Sequence, residues 1–155
     1  MLPVDRDVPF NQYKFVVKWD GRNISVGSVS PLRRSTEVVE YRDGNEPDTT
    51  LKTPGRTKYD PIVLKRGRSH DTDFEQWANQ VLGTGTTLTS FRKDIIIELQ
   101  NGSGQVVLAY KVYRCWPIEY VAMSELEVTI SGVVIESLTL EHEGWERIQK
   151  RKPSK

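Results

Sequence analysis

A single cysteine, Cys115, occurs among the 155 residues. One thiol cannot form an intramolecular disulfide, so no disulfide framework holds this fold. Histidine is almost as scarce: His70 and His142 are the only two, which leaves little material for histidine-based metal sites or general bases. Neither sign of charge dominates, with 22 basic residues against 21 acidic ones. Nucleic-acid-binding domains usually carry a basic excess, and this chain has none. Long apolar runs are missing too, and those present fall well short of a membrane span. The opening residues, Met1-Leu2-Pro3-Val4-Asp5-Arg6-Asp7, lack the basic stretch and apolar run of a secretory signal. No G-x-x-x-x-G-K or G-x-G-x-x-G pattern is present to cradle a phosphate.

What remains is a mixed composition, 37% hydrophobic and 28% charged, expected to form one soluble domain over residues 1–155. Residues 1–9, polar with two prolines, read as an N-terminal arm. Tyr13, Phe15, Val17 and Trp19 then alternate with Lys14, Val16 and Lys18, the period of a strand with one buried face. This predicts a first strand over 10–19. Asp20-Gly21 is a hairpin signal, followed by a second strand over 22–29. A third strand covers 37–41 and a fourth 59–66. Between them lies a long polar excursion, 42–58, with two prolines and two glycines. Loops of that length in a compact domain are usually functional or disordered.

One helix is convincing. Ser69 or Asp71 can cap its first turn, and Phe74, Trp77, Val81 and Leu82 make one apolar stripe. In the C-terminal half Ile95, Ile97 and Leu99 alternate, then Val106, Leu108, Tyr110 and Val112 in a strand ending at Trp116-Pro117. Leu126, Val128 and Ile130 alternate in turn. The run 132–143 changes phase between Val133/Ile135 and Leu138/Leu140, which a β-bulge near Glu136-Ser137 would explain. The basic residues 148–155 read as a tail. Altogether the chain reads as mainly β: an antiparallel barrel or sandwich of about eight strands, with one flanking helix and a long inter-strand loop.

Catalytic material is thin. Cys115 needs a base and an electropositive setting to act as a nucleophile, and nothing brings His70 or His142 to it. A small buried hydrophobe is the plainer reading. His142-Glu143-Gly144-Trp145-Glu146 has the first two letters of a zinc-binding H-E-x-x-H, but that motif needs two ligands on one helical face. Here glycine sits in the middle and the segment follows a strand. His70, Asp71 and Asp73 read as helix capping rather than an acid–base set. The clusters Arg33-Arg34, Lys65-Arg66-Gly67-Arg68 and Lys150-Arg151-Lys152 are matched by acidic residues throughout. No catalytic residue, metal ligand or cofactor site is assigned, and no enzyme activity is expected.

Several separate pieces occur in an order that resembles one family. They are Phe15-Val16-Val17, then Thr36-Glu37-Val38-Val39-Glu40-Tyr41-Arg42-Asp43-Gly44, Pro54-Gly55-Arg56-Thr57-Lys58-Tyr59 and Leu64-Lys65-Arg66-Gly67. The tryptophan-bearing helix, Trp116-Pro117, and the run from Glu136 to Gly144 complete the set. In this the chain resembles the inner tail-tube proteins of contractile phages and of phage-tail-like extracellular contractile injection systems. It departs from that pattern at Asp60-Pro61 and at Ser131-Gly132. The resemblance implies a β-barrel with a flanking helix, like the type VI secretion tube. It also implies self-assembly into hexameric rings stacked as a hollow rigid tube inside a contractile sheath. Implied partners are other copies of the chain, the sheath protein, baseplate or hub and tube-terminating proteins, and DNA or effector in the lumen. Assembly would take place in the cytoplasm, and the final place would be a virion tail or an extracellular particle. A tube initiator or terminator paralogue is a variant of this reading, and a monomeric barrel binding a small ligand is a different class.

The excursion 42–58 is then expected to bridge stacked rings. A loop so long and charged is costly to order on a lone barrel, because each fixed residue loses about 1–2 kcal/mol of backbone entropy. The expected ring-stacking residues are Tyr41, Arg42, Asp43, Glu46, Asp48, Lys52, Pro54, Gly55, Arg56 and Lys58. Arg56 is the favoured partner for an inter-subunit ion pair, since its planar fork suits a carboxylate.

Overall fold

The structure, a computed structural model, describes residues 13–42, 44, 50–67, 70–82, 91–125 and 134–149. Ten strands and one helix run in the order β1 (Lys14–Trp19), β2 (Arg22–Val26), β3 (Ser28–Val29), β4 (Arg34–Arg42), β5 (Thr50–Tyr59), β6 (Ile62–Gly67), α1 (Asp73–Leu82), β7 (Lys93–Gln100), β8 (Val106–Val121), β9 (Ile135–Glu141) and β10 (Trp145–Arg147). All pairing is antiparallel. Among the described residues the main sheet has the order β2-β1-β7-β8-β9-β6-β3, with β10 on β8, while β4 and β5 form a separate two-stranded sheet. β2 and β3 are one trace bent at Gly27, whose N–H donates to the Lys65 carbonyl at 2.8 Å. The two ends of the strand order therefore meet, and the sheet closes into a barrel.

Alternation accounts for most of this. Val17 and Trp19 of β1, Ile24 and Val26 of β2, and Ile95 and Ile97 of β7 point into one core with Ile62, Leu64, Leu138 and Leu140. At one end of the barrel the helix closes it. Phe74 and Trp77 pack on Trp19, with ring centroids 6.0 and 4.7 Å away, and the Trp77 indole N–H donates to the Phe91 carbonyl at 2.7 Å. Asp71 accepts the Asp73 N–H at 3.1 Å, so it caps the helix as its position suggested. The apolar stripe is shorter than expected: Leu82 is exposed, and Ala78 packs on the core instead.

Four expectations need correction. The second strand is two, because at Gly27 the chain leaves β1 and joins β6. The strand from Val106 does not end at Trp116-Pro117 but runs on to Val121. It changes partner at a bulge, where Arg114 takes φ 52° and its N–H donates to the Asp94 carboxylate at 2.9 Å. Beyond the bulge it pairs with β9, and Pro117 stands next to a second register shift, where a missing N–H is tolerated.

No bulge lies near Glu136-Ser137. β9 pairs with β6 in one continuous register from Gly67↔Ile135 to Ile62↔Leu140. The inward parity is Glu136, Leu138 and Leu140, so the apparent phase change is a buried glutamate. Its carboxylate accepts from the Arg66 Nε at 2.9 Å and from the Tyr120 hydroxyl at 2.6 Å. Arg66 also forks onto Asp71 at 2.7 and 3.1 Å and stacks 4.2 Å over the Phe74 ring. Both ions are fully partnered, as buried charges must be, and they tie β6, β8, β9 and the helix together.

The fourth correction concerns 42–58. It is not a loop throughout, since residues 50–59 are strand β5, paired with β4 from Arg42↔Thr50 to Arg34↔Tyr59. Pro54 and Gly55 hid this strand. A two-stranded ribbon consists of edges, which accept a proline that an inner strand would not. The expected strand over 126–130, the arm over 1–9 and most of the tail lie outside the described residues. Of the tail, the Ile148 N–H donates to the Ala109 carbonyl at 2.9 Å.

Candidate functional site: an exposed two-stranded arm

β4 and β5 form an arm roughly 30 Å long at about 3.3 Å per residue. Every residue of β4 is exposed, as is every residue of β5 before Tyr59. The register sorts its two faces. Val39 opposes Thr53 and Tyr41 opposes Leu51, on adjacent rungs of one face. The other face carries Val38 with Pro54, Glu40 with Lys52, and Arg42 with Thr50. Val38, Val39, Tyr41 and Leu51 keep between 40% and 61% of their surface in solvent. The arm thus exposes apolar side chains on both faces. An isolated hairpin is marginal in water, and apolar patches of this kind mark interaction sites.

A bulge shapes the ribbon. Thr36 opposes Thr57 and Val38 opposes Pro54, so Glu37 stands against both Gly55 and Arg56. The two strands come so close there that a Cβ at residue 55 would sit 2.8 Å from Val39 Cγ2. A larger residue at 55 would push the Val39 side chain aside, and the bulge turns Arg56 relative to the strand.

Of the ten expected stacking residues, Tyr41, Arg42, Lys52, Pro54, Gly55, Arg56 and Lys58 all lie on this arm, whereas Asp43, Glu46 and Asp48 fall outside the described residues. Lys52 stands 3.9 Å from Glu40. Among the described residues Arg42, Arg56 and Lys58 make no ion pair within the chain. Sequence reasoning missed Val38, Val39 and Leu51 as surface groups. Leu51, an apolar residue inside a polar excursion, was the available signal.

At its base the arm meets the segment Glu141–Trp145. The Tyr59 ring stands edge-on to His142 and to Trp145, with centroids 5.7 and 5.9 Å away, and the Arg34 guanidinium lies 5.4 Å over Trp145. The His142 Nε2 is 2.8 Å from the Asp60 carbonyl, and the Gly144 N–H donates to Nδ1 at 3.1 Å. Backbone groups occupy both ring nitrogens, so this histidine is not arranged as a metal ligand. Cys115 is buried, and its thiol points at the Val112 carbonyl, 3.6 Å away. Burial, with a smaller contribution from the Asp94 charge, pushes this thiol up to about 12. It stays protonated and unreactive near neutrality, and exposed His70 is not paired with it.

Comparison with known proteins points the same way. The model of a family described as T4-like virus tail tube protein gp19 matches residues 11–146. A chain of the PVC sheath–tube complex, an extracellular contractile injection system in its extended state, is 26% identical. The match covers 94% of this chain and 95% of that chain with a TM-score of 0.74. A chain of the structure of the anti-feeding prophage tube-terminating cap is 23% identical over 97% of this chain and 96% of that chain, with a TM-score of 0.74. Hcp1 from Flavobacterium johnsoniae shares the fold more distantly, at 13% identity, 86% and 94% coverage and a TM-score of 0.55. A comparison with curated proteins finds no match.

Proposed function

Because the chain belongs to the T4-like virus tail tube protein gp19 family, a family of structural tube proteins, we propose that six copies close into a ring and that the arm of each ring grips the next. Stacked rings make the hollow inner tube of a contractile tail or injection particle. A head-to-tail contact that closes on itself makes a ring, and one that does not makes a filament; a tube needs both.

The observation that carries this reading is the arm. Its apolar side chains stay 40–61% exposed among the described residues, and a side chain of this size contributes about 1.5–3 kcal/mol when fully buried. A neighbouring copy supplies that burial and offsets the entropy of ordering the ribbon. Arg56 and the other basic residues of the arm would then meet carboxylates of the next ring. The sheath surrounds the tube, baseplate and terminating proteins meet its ends, and DNA or effector passes through the lumen. Assembly takes place in the cytoplasm of the producing cell, and the finished tube leaves it within the particle.

Replacing residues 44–53 with a short Gly/Ser linker tests the bridge. Folded subunits that form rings but no tubes under the electron microscope support it, and tubes of normal length and stability reject it. The likeness to a chain found in a tube-terminating cap structure raises a second reading, a protein that begins or ends the tube. Copy number in isolated particles separates the two: many rings for a tube protein, one ring for an end protein.

A further inference from the structure

We propose that the outward face of β6, β9 and β8 receives the arm of a second copy, with Glu119 and Glu141 taking Arg56 and Lys58. The inference rests on the reading of the arm given above and adds where the arm lands.

The arm is basic: β4 and β5 together carry five basic residues and two acidic ones. The register defines one of its faces. Ser35 opposes Lys58, Glu37 stands against Arg56 across the bulge, Val39 opposes Thr53 and Tyr41 opposes Leu51. From root to tip this face presents two cationic rungs and then two apolar ones. Rungs on one face of a strand repeat every two residues, about 7 Å.

The barrel offers a matching order. Leu138 and Leu140 of β9 point into the core, so Ser137, Thr139 and Glu141 point outward. These three oppose Val121, Glu119 and Trp116 of β8. Ser137 and Thr139 also oppose Lys65 and Val63 of β6. Glu119 and Glu141 form no ion pair among the described residues. As diagonal neighbours across two strands they stand about 7–8 Å apart, which is the spacing of Arg56 and Lys58. Ile118, at the bulge beside Glu119, is 45% exposed. One rung beyond Glu119 the surface becomes hollow and more apolar. Val121, Ile135, Ser137 and Gly67 border a groove of about 530 Å³ there, and Met123, two residues past Val121, keeps 64% of its surface in solvent.

Laid rung on rung, Lys58 meets Glu141, Arg56 meets Glu119, Val39 meets Val121, and the Tyr41–Leu51 rung reaches the groove. Lys65, which borders the groove, then has Glu37 of the arm one rung away. The contact joins two different surfaces, so each copy can give an arm and receive one, as an open stack requires. Exposed ion pairs add little affinity. Their larger effect is on register, because a slipped arm sets like charges against each other.

Charge exchange in the full chain tests the landing place. Arg56→Glu and Glu119→Arg should each raise the protein concentration at which tubes form about tenfold, and the two together should bring it back to within about threefold of wild type. Both positions are exposed, so the subunit melt should not move. Lys58→Glu with Glu141→Arg should repeat the pattern one rung away. Single variants that assemble like wild type, or an Arg56→Glu defect that Glu119→Arg does not relieve, would overturn the proposal. In the second case the arm still bridges rings and only its landing place is wrong. Wild-type rings that never stack would sink the bridging reading itself, and this inference with it.

Discussion

Val17, Ile62, Leu64, Leu138 and Leu140 in the barrel have no exposed surface, while Val38, Val39, Tyr41 and Leu51 in the arm keep 40% or more. The residue types are those of ordinary strands in both places. In the barrel they are covered by the opposite wall and by the helix, and they supply the stability of the subunit. In the arm they stay substantially exposed among the described residues, and they contribute correspondingly little to the stability of the subunit. The charges divide the same way. Arg66 is enclosed by Glu136, Asp71 and Phe74, whereas Arg42, Arg56 and Lys58 stand free of ion pairs among the described residues. A closed region settles its own interactions, and an open one leaves them for assembly.

The largest effect expected from breaking that division is in the barrel. Trp77→Ala removes the ring that seals the helix end and should cost about 3–5 kcal/mol, read as a lowered midpoint in urea with particle formation lost along with the fold. Next comes Glu136→Ala, which leaves Arg66 buried with Asp71 as its remaining carboxylate partner. It should cost about 3 kcal/mol, and the Tyr120 hydroxyl loses its acceptor as well. A change below about 0.5 kcal/mol would show that the network is slack.

In the arm the order of effects reverses. Val39→Ser with Tyr41→Ser should move the subunit midpoint by no more than about 0.5 kcal/mol, yet tubes should shorten or vanish in electron micrographs. If the pair destabilises the isolated subunit as a core change does, the arm is part of the fold and the comparison fails. Gly55→Ala should act alike on a smaller scale, since the new Cβ forces Val39 aside.

The smallest effect at neutral pH is at Cys115. The folded chain holds the thiol proton up to about 12, against 9.0 without burial. The raised value means a contribution fully present below pH 9 that falls away as the pH climbs towards 12, because the unfolded thiol ionises first. Cys115→Ala should remove that share of the alkaline slope in stability. Identical slopes in the two proteins would contradict it.

Much of the barrel was legible from period alone. Val17, Trp19, Ile95, Ile97 and Val112 lie on the parity that alternation assigned to the core, and Phe74 and Trp77 on the predicted helical stripe. The misses have physical causes. β5 lacks alternation and holds Pro54 and Gly55, which ordinarily exclude a strand, but a ribbon with no inner strand accepts them. Glu136 looked like a break in phase because its partner Arg66 is 70 residues away. His142 drew attention for a metal motif, whereas its two nitrogens serve the exit of the arm and the turn at Gly144.

The amino-acid sequence by itself determined the local terms: which segments extend, where the helix is capped and striped, that no intramolecular disulfide can form, and that the family motifs stand in order. These follow from period, turn chemistry and composition, which act between near neighbours. Only the tertiary structure decided which strands meet, that β8 changes partner at Arg114, and that a buried arginine explains a buried glutamate. It alone set the arm apart from the barrel, because whether a valine is core or contact depends on what distant chain comes to cover it.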